Sequence, residues 1–323
     1  MDSDWEIEYE PEDVSFGNGL DFQVMSITEL PLEFLADLES KQEEISGRRL
    51  WPGSLILAQY LTHISEDIKG RTVLELGAGS GICSMLARRL GAAVVMVTDG
   101  DDECIKLMGQ NLSSNGFNDD PQIAARLLRW GDRPSKELFE EYLNSTNSLS
   151  LVESGKFDYV IAGDVLYKRA LLGPFFSCAA ELLLPTAPPG AAGGGGGGAG
   201  GGGGGALLLC HLPRAGVTHD IVQQSAAEHG FKLTIVYETG TSSSRQCQPA
   251  EEKIEGGEER GSASSSSMTD HQEKHQRNAA AINEEGGQRI GTADWKKGLA
   301  QLPGLDNEDL EKAKIYKLEK MAV

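Results

Sequence analysis

The 323-residue chain contains no apolar run approaching the ~20 residues that a membrane-crossing helix needs. Basic residues are scarce, with 29 Lys and Arg against 49 Asp and Glu and a formal net charge of −20. That balance lacks the basic footprint of a nucleic-acid binder, so neither nucleic acid nor a membrane is expected as a partner. Cysteine is sparse and scattered. Cys83, Cys104, Cys178, Cys210 and Cys247 include no pair at zinc-ligand spacing, and no metal site is expected. Cys83 and Cys104 fall in helical patterns and Cys210 in a strand, as free thiols buried in a reducing compartment do. The first residues, Met1-Asp2-Ser3-Asp4-Trp5-Glu6, are acidic where a secretory signal is basic. A soluble protein of the cytoplasm or nucleus is the expectation.

The acidity is uneven. Residues 1–45 hold 14 Asp and Glu and a single Lys, and read as a solvated acidic extension. Two further segments are biased. Residues 190–205 are only Gly and Ala, inside a flexible linker placed at 185–205. Residues 240–308 are rich in Ser, Gly, Glu and Gln without sustained periodicity, and read as a disordered insert with at most a short helix. A single domain over 46–323, interrupted by these two segments, accounts for the rest. Long surface insertions are tolerable because loop-closure entropy grows only logarithmically with length.

Within that domain strand and helix signals alternate. Helical stripes run over 51–64, 82–90, 102–112, 136–144, 171–184 and 218–229. Short apolar runs at 73–76, 93–98, 124–128, 157–162, 206–211 and 232–237 read as strands, several of them covered on both faces. The run 313–320 reads as a last strand. This order predicts an α/β fold, a doubly wound and mostly parallel sheet with helices on both faces.

Glycine is concentrated where chemistry needs it. Val73-Leu74-Glu75-Leu76 runs into Gly77-Ala78-Gly79-Ser80-Gly81 and then a helix. Such a turn brings bare backbone against a ligand. A dinucleotide fingerprint needs a glycine where Ile82 stands, and a P-loop needs Gly-Lys-Ser/Thr, which does not follow. Asp99 ends the next strand and can accept hydrogen bonds from the ribose hydroxyls of a nucleoside. Asp101, close by, suits a helix N-terminus better. Trp130, at the carboxyl edge of the sheet, can lie on an adenine face or in the core. Trp51-Pro52 opens the helix ahead of the glycine loop, and either closes over the same pocket or anchors that helix. Asp164-Val165-Leu166-Tyr167 follows the fourth strand, without the Asp/Asn-Pro-Pro-aromatic run usual in enzymes that methylate nucleobase amines.

Taken together, Trp51-Pro52, the Glu75-x-Gly77-x-Gly79-x-Gly81 loop, Thr98-Asp99, Leu128-Arg129-Trp130 and Asp164-x-x-Tyr167 resemble the seven-strand protein lysine methyltransferases. The resemblance covers most of 46–184 and, more weakly, 206–239 and 309–323. It implies a Rossmann-like sheet of seven strands, the last antiparallel, and S-adenosylmethionine as cofactor. It also implies cofactor contacts at Trp51, Glu75, Gly77, Ala78, Gly79, Asp99, Trp130 and Gly163, the last commonly alanine in that family. Asp164 and Tyr167 are then catalytic, holding a lysine amine of a protein substrate. The protein is expected to act as a monomer. A histidine or N-terminal amine as acceptor, or a cofactor-binding protein without chemistry, are the alternatives.

Overall fold

The computed structural model describes residues 8–27, 46–131, 155–185, 205–238 and 295–321. Seven strands form one sheet: β3 (Thr72–Leu76), β4 (Val94–Asp99), β5 (Ile123–Leu127), β6 (Tyr159–Gly163), β7 (Ala206–His211), β8 (Phe231–Glu238) and β9 (Lys314–Lys320). Their order is β5-β4-β3-β6-β7-β9-β8. β3 to β7 run parallel, and β9 inserts antiparallel between β7 and β8. The expected Rossmann-like sheet with an antiparallel last strand is therefore the observed one. The strand order reverses at β3. Chain travelling outward to β4 and β5 returns to β6 on the other side, and ligands in such sheets bind beyond the strand ends at that switch.

Period-two alternation along the strands feeds two cores. Val73, Val95, Ile161 and Leu208 face α1 (Pro52–His63), α3 (Ile82–Arg89) and α4 (Asp102–Ser114). Their neighbours Leu74, Val94, Val160 and Leu207 face α5 (Arg169–Leu182) and α6 (His219–Glu228). A short α2 (Ser65–Ile68) links α1 to β3. Because both faces are covered, the central strands read as continuous apolar runs in sequence.

Two segments differ from the sequence reading. Within the acidic extension, β1 (Glu10–Ser15) and β2 (Asp21–Ser26) pair as an antiparallel hairpin. Val14, Phe16, Phe22 and Val24 are buried in the first core while their charged neighbours face solvent. The hairpin docks edge-on to α4. Asn111 and Asn115, one helical turn apart, accept from the Met25 and Gln23 amides at 2.8 and 3.0 Å. Asn115 also donates to the Gln23 carbonyl at 2.7 Å. Two side-chain amides thus stand in for the neighbouring strand that the edge of β2 lacks. The high charge of the segment masked this alternation of apolar and polar residues.

The second difference lies at the end of the 240–308 segment. Here the chain forms α7 (Trp295–Leu299) and α8 (Asn307–Lys312). Trp295 is buried, edge-on to Tyr60 at 5.4 Å and Tyr237 at 5.2 Å, and stacked on His63 at 5.8 Å. Leu299 and Leu302 are buried beside it. The rest of that insert, the glycine tract at 186–204 and the helix expected over 136–144 lie outside the described residues. Among the described residues, no helix is long and apolar enough to cross a membrane.

Removing this tryptophan tests whether the segment belongs to the core. Trp295→Ala should cost about 3–5 kcal/mol of unfolding free energy, as for other buried large aromatics. An unfolding free energy within ~0.5 kcal/mol of the unaltered protein, from denaturant titration, would show that α7 merely lies on the surface.

Candidate active site

The site forms where α1 meets the carboxyl ends of β3, β4 and β6. Pro52 takes the first helical position of α1, which suits its fixed φ, and holds Trp51 extended at φ −96° and ψ 142°. The Trp51 indole N–H then donates to the Ser46 carbonyl at 2.5 Å. The helix approaches β6 closely. A Cβ at Gly53 would lie 2.6 Å from the Cβ of Asp164, and one at Gly163 would lie 2.7 Å from the Cα of Ser54. Alanine at 163 therefore does not fit this chain, and the seat of α1 explains the glycine. The Ser54 hydroxyl seals the contact by donating to the Gly163 carbonyl at 3.2 Å.

Beyond β3 the glycine loop turns tightly, with Gly77 and Gly79 at φ 68° and 53°. Space is as demanding as conformation. A Cβ at Gly77 would meet Val165 at 2.8 Å and the Trp130 ring at 3.1 Å, and one at Gly79 would meet the Gly47 carbonyl at 2.6 Å. The loop is tied back by the Ala78 amide donating to Thr98 at 2.9 Å. Asp99 accepts from the Gly79 amide at 3.0 Å and the Asp101 amide at 3.1 Å. One carboxylate thus clamps the loop to β4 and keeps lone pairs toward the cavity. Burial pushes its carboxyl above the ordinary value, against the Gly79 and Asp101 amides. Asp101 caps α4 by accepting from the Glu103 amide at 3.0 Å and pairs with Arg48 at 3.6 Å.

Glu75 lies elsewhere. Expected as a cofactor contact, it is not among the residues that line the cavity. Fully buried beneath the loop, it accepts from the Ser84 amide at 2.9 Å and the Ser84 hydroxyl at 2.5 Å, stitching β3 to the first turn of α3. Burial pushes its carboxyl up to about 7 despite those bonds. The strand-end position that suggested contact is an inward-facing one.

Trp130 serves two surfaces. Its ring lines the cavity and meets Phe175 edge-on at 5.2 Å. The ring is thus shared between the cavity wall and the core. Asp164 occupies the left-handed region at φ 62°, which aspartate tolerates better than most residues, and its amide donates to the Cys210 carbonyl at 2.9 Å. Its side chain is 1% exposed and forms an ion pair with Arg214. The Arg214 guanidinium also lies 4.5 Å over the Trp51 ring. Burial raises the Asp164 carboxyl, and Arg214 and the Gly53 amide pull against that rise. The Tyr167 hydroxyl stands 3.5 Å from the Ser46 hydroxyl.

The result is a cavity of about 320 Å³, within the range of small-molecule sites. Of the ten residues expected to act, Trp51, Gly77, Ala78, Gly79, Asp99, Trp130, Gly163, Asp164 and Tyr167 line it. Sequence reasoning missed Arg214 and the Ser46–Gly47 segment that crosses the glycine loop. Arg214 had one signal, a basic residue in the turn after β7, at the same sheet edge as Asp164. The residues fit S-adenosylmethionine. The glycine cradle leaves no room for a side chain, Asp99 offers acceptors for ribose, and Trp130 offers a flat face.

Residues 33–187 match a family described as lysine methyltransferase. The chain is 30% identical over 139 residues to a protein-lysine N-methyltransferase EFM3 of Chaetomium thermophilum, covering 43% of this chain and 39% of that protein. It is 31% identical over 149 residues to the methyltransferase-like protein 23 of Dictyostelium discoideum, covering 42% of this chain and 54% of that one. A protein N-terminal and lysine N-methyltransferase efm7 of Neurospora crassa is 32% identical over 132 residues, with 39% and 45% covered. The chain thus spans about half or less of the length of these relatives.

Two outcomes follow from the geometry. Asp99→Ala should weaken S-adenosylmethionine binding about tenfold to hundredfold, the loss of a charged hydrogen bond, in calorimetry on folded protein. Unchanged affinity would remove Asp99 from the site. Glu75 holds its proton more tightly in the fold, at about 7, than at its ordinary 4.5. Its neutral form is therefore the stabilising one, and stability is lost as pH rises through that window. The melting temperature of Glu75→Gln relative to the unaltered protein should rise from about pH 5 to about pH 8. A difference independent of pH would contradict the buried titration.

Proposed function

We propose that this protein, whose residues 33–187 match a family described as lysine methyltransferase, transfers a methyl group from S-adenosylmethionine to a lysine side-chain amine of a protein substrate. The observation that carries the reading is the placement of Asp164 and Tyr167 on the cavity that the glycine loop, Asp99 and Trp130 line. Four described cysteines are free and buried, which supports action in a reducing compartment such as the cytoplasm or nucleus.

Bound S-adenosylmethionine supplies an activated methyl on a positively charged sulfur. The protein's own task is chiefly positioning, since methyl transfer needs an in-line approach of the amine. Gly77 and Gly79 let the backbone close on the nucleoside, and Asp99 and Trp130 fix its sugar and base. Asp164 is rigidly set by its backbone bond to β7 and by the close seat of α1. A carboxylate so placed aligns the N–H groups of an arriving amine. Tyr167 adds an aromatic face, which favours a neighbouring cation, and a hydroxyl that Ser46 orients. Trp51 also lines the cavity.

The test uses methyl-labelled S-adenosylmethionine, the full chain and a heat-treated cell extract as acceptor, with amino-acid analysis of the labelled protein. Label should appear in methyl-lysine. Asp164→Ala should lower the rate at least about a hundredfold, the scale of a misplaced reacting group. Tyr167→Phe should lose only part of it, with cofactor affinity retained. Label in histidine or at an α-amine would overturn the lysine assignment, and normal rates in both variants would leave Asp164-x-x-Tyr167 a structural motif.

A further inference from the structure

We propose that Arg214 keeps the target amine in its neutral, nucleophilic form by remaining on Asp164 as the carboxylate's counter-ion. The proposal rests on the methyltransferase reading and addresses a problem that reading leaves open. A free lysine amine has a pKa of about 10.4 and is almost wholly an ammonium at neutral pH. An unpaired buried carboxylate at the mouth would make matters worse, because it would bind and stabilise that ammonium. Asp164 is not unpaired.

Arg214 is built into place. Its carbonyl accepts from the Val217 amide at 2.9 Å, closing a turn in which Ala215 and Gly216 take φ 48° and 74°. Arg169 donates to the Gly216 carbonyl at 3.0 Å and holds the turn from α5. The guanidinium is then fixed between two partners, the Asp164 carboxylate and the Trp51 face at 4.5 Å. Its side chain is 27% exposed and that of Asp164 only 1%, so the arginine is the more solvent-exposed member of the pair, while Asp164 is the member that lines the cavity.

Other titratable groups surround the pair. From β7, Cys210 and His211 face the pair. Burial pushes the Cys210 thiol well up and the His211 imidazole down to about 4, so both stay uncharged at neutral pH. Asp309 of α8 faces it as a second carboxylate, and burial raises its carboxyl. Arg49 lies 5.9 Å over the Trp51 ring, and Lys168 lies 5.9 Å over the Tyr167 ring. A cation entering here meets an Asp164 carboxylate already paired with Arg214. The neutral amine is the form admitted. Its proton is left to water. The N–C bond then forms as the C–S bond breaks, with the electron pair leaving on sulfur.

The pH dependence of methyl-lysine formation decides the matter, with labelled S-adenosylmethionine and heat-treated cell extract over about pH 6.5 to 10. In the unaltered protein the alkaline limb of the maximal rate should have its midpoint at least one unit below the free lysine value of about 10.4. Arg214→Gln should move that midpoint up by about 1 to 3 units, a tenfold or greater loss near pH 7.5 that is recovered toward pH 10. Arg214→Lys, which keeps the charge, should leave the midpoint in place at a lower rate. Cofactor affinity and melting temperature identify any variant that has not folded, and the limb of the unaltered protein tests the inference without variants. A limb still rising at pH 10 in the unaltered protein overturns it. So does an equal loss at every pH in Arg214→Gln, which would make Arg214 structural. A higher rate with lower KM at neutral pH would show instead that Arg214 competes with the substrate. No methyl-lysine from the unaltered protein at any pH is a different result, since it removes the methyltransferase reading itself.

Discussion

The site depends on the close seat of one helix on one strand end. Gly53 in α1 and Gly163 at the end of β6 leave no room for a Cβ between them. Everything at the mouth of the cavity inherits its position from that approach. It brings Trp51 beside Asp164, lets the Gly53 amide steady the carboxylate, and leaves Asp164 a left-handed backbone as its way out of the strand. The same economy appears at the glycine loop, where the Trp130 ring and Val165 press on Gly77 and the Gly47 carbonyl presses on Gly79. Two contacts made of bare backbone thus define the two ends of one cavity.

Carboxylates organise each end differently. Asp99 accepts one hydrogen bond on each oxygen, from the Gly79 amide of the loop and from the Asp101 amide ahead of α4, and keeps its remaining capacity for a ligand. Glu75 spends its bonds on Ser84, and burial holds its titration near 7. Asp164 is paired with a guanidinium rather than with amides alone. An amide-bound carboxylate keeps its negative charge available to a ligand, whereas a guanidinium cancels that charge locally. The first arrangement suits binding of ribose hydroxyls, and the second suits the reception of an amine that must be uncharged to react.

Much of this was legible in the sequence because the signals were local. The β3–loop–α3 unit, the acidic end of β4 and the Asp164-x-x-Tyr167 turn each lie within about ten residues, and the covered strands read as continuous apolar runs. What the sequence hid was long-range or masked by composition. Arg214 meets Asp164 across 50 positions, through pairing of β6 with β7 that no local pattern specifies. Glu75 sits at a strand end at this edge, but strand alternation turns its side chain inward, onto Ser84. The hairpin at Glu10–Ser15 and Asp21–Ser26 was hidden by its charge, although Val14, Phe22 and Val24 alternate as an amphipathic strand pair should. Trp295 was hidden at the end of a low-complexity stretch, where one buried aromatic outweighs its surroundings.

The central claim is that one cavity holds the cofactor with its reactive end at an arginine-paired aspartate. A crystal structure of the full chain with S-adenosylhomocysteine tests it most directly. The account predicts adenine against Trp130, both ribose hydroxyls within hydrogen-bond distance of Asp99, the thioether sulfur facing Asp164, and Arg214 still on that carboxylate. Ligand lying outside the glycine loop, or bound with its sulfur turned away from Asp164, would contradict it.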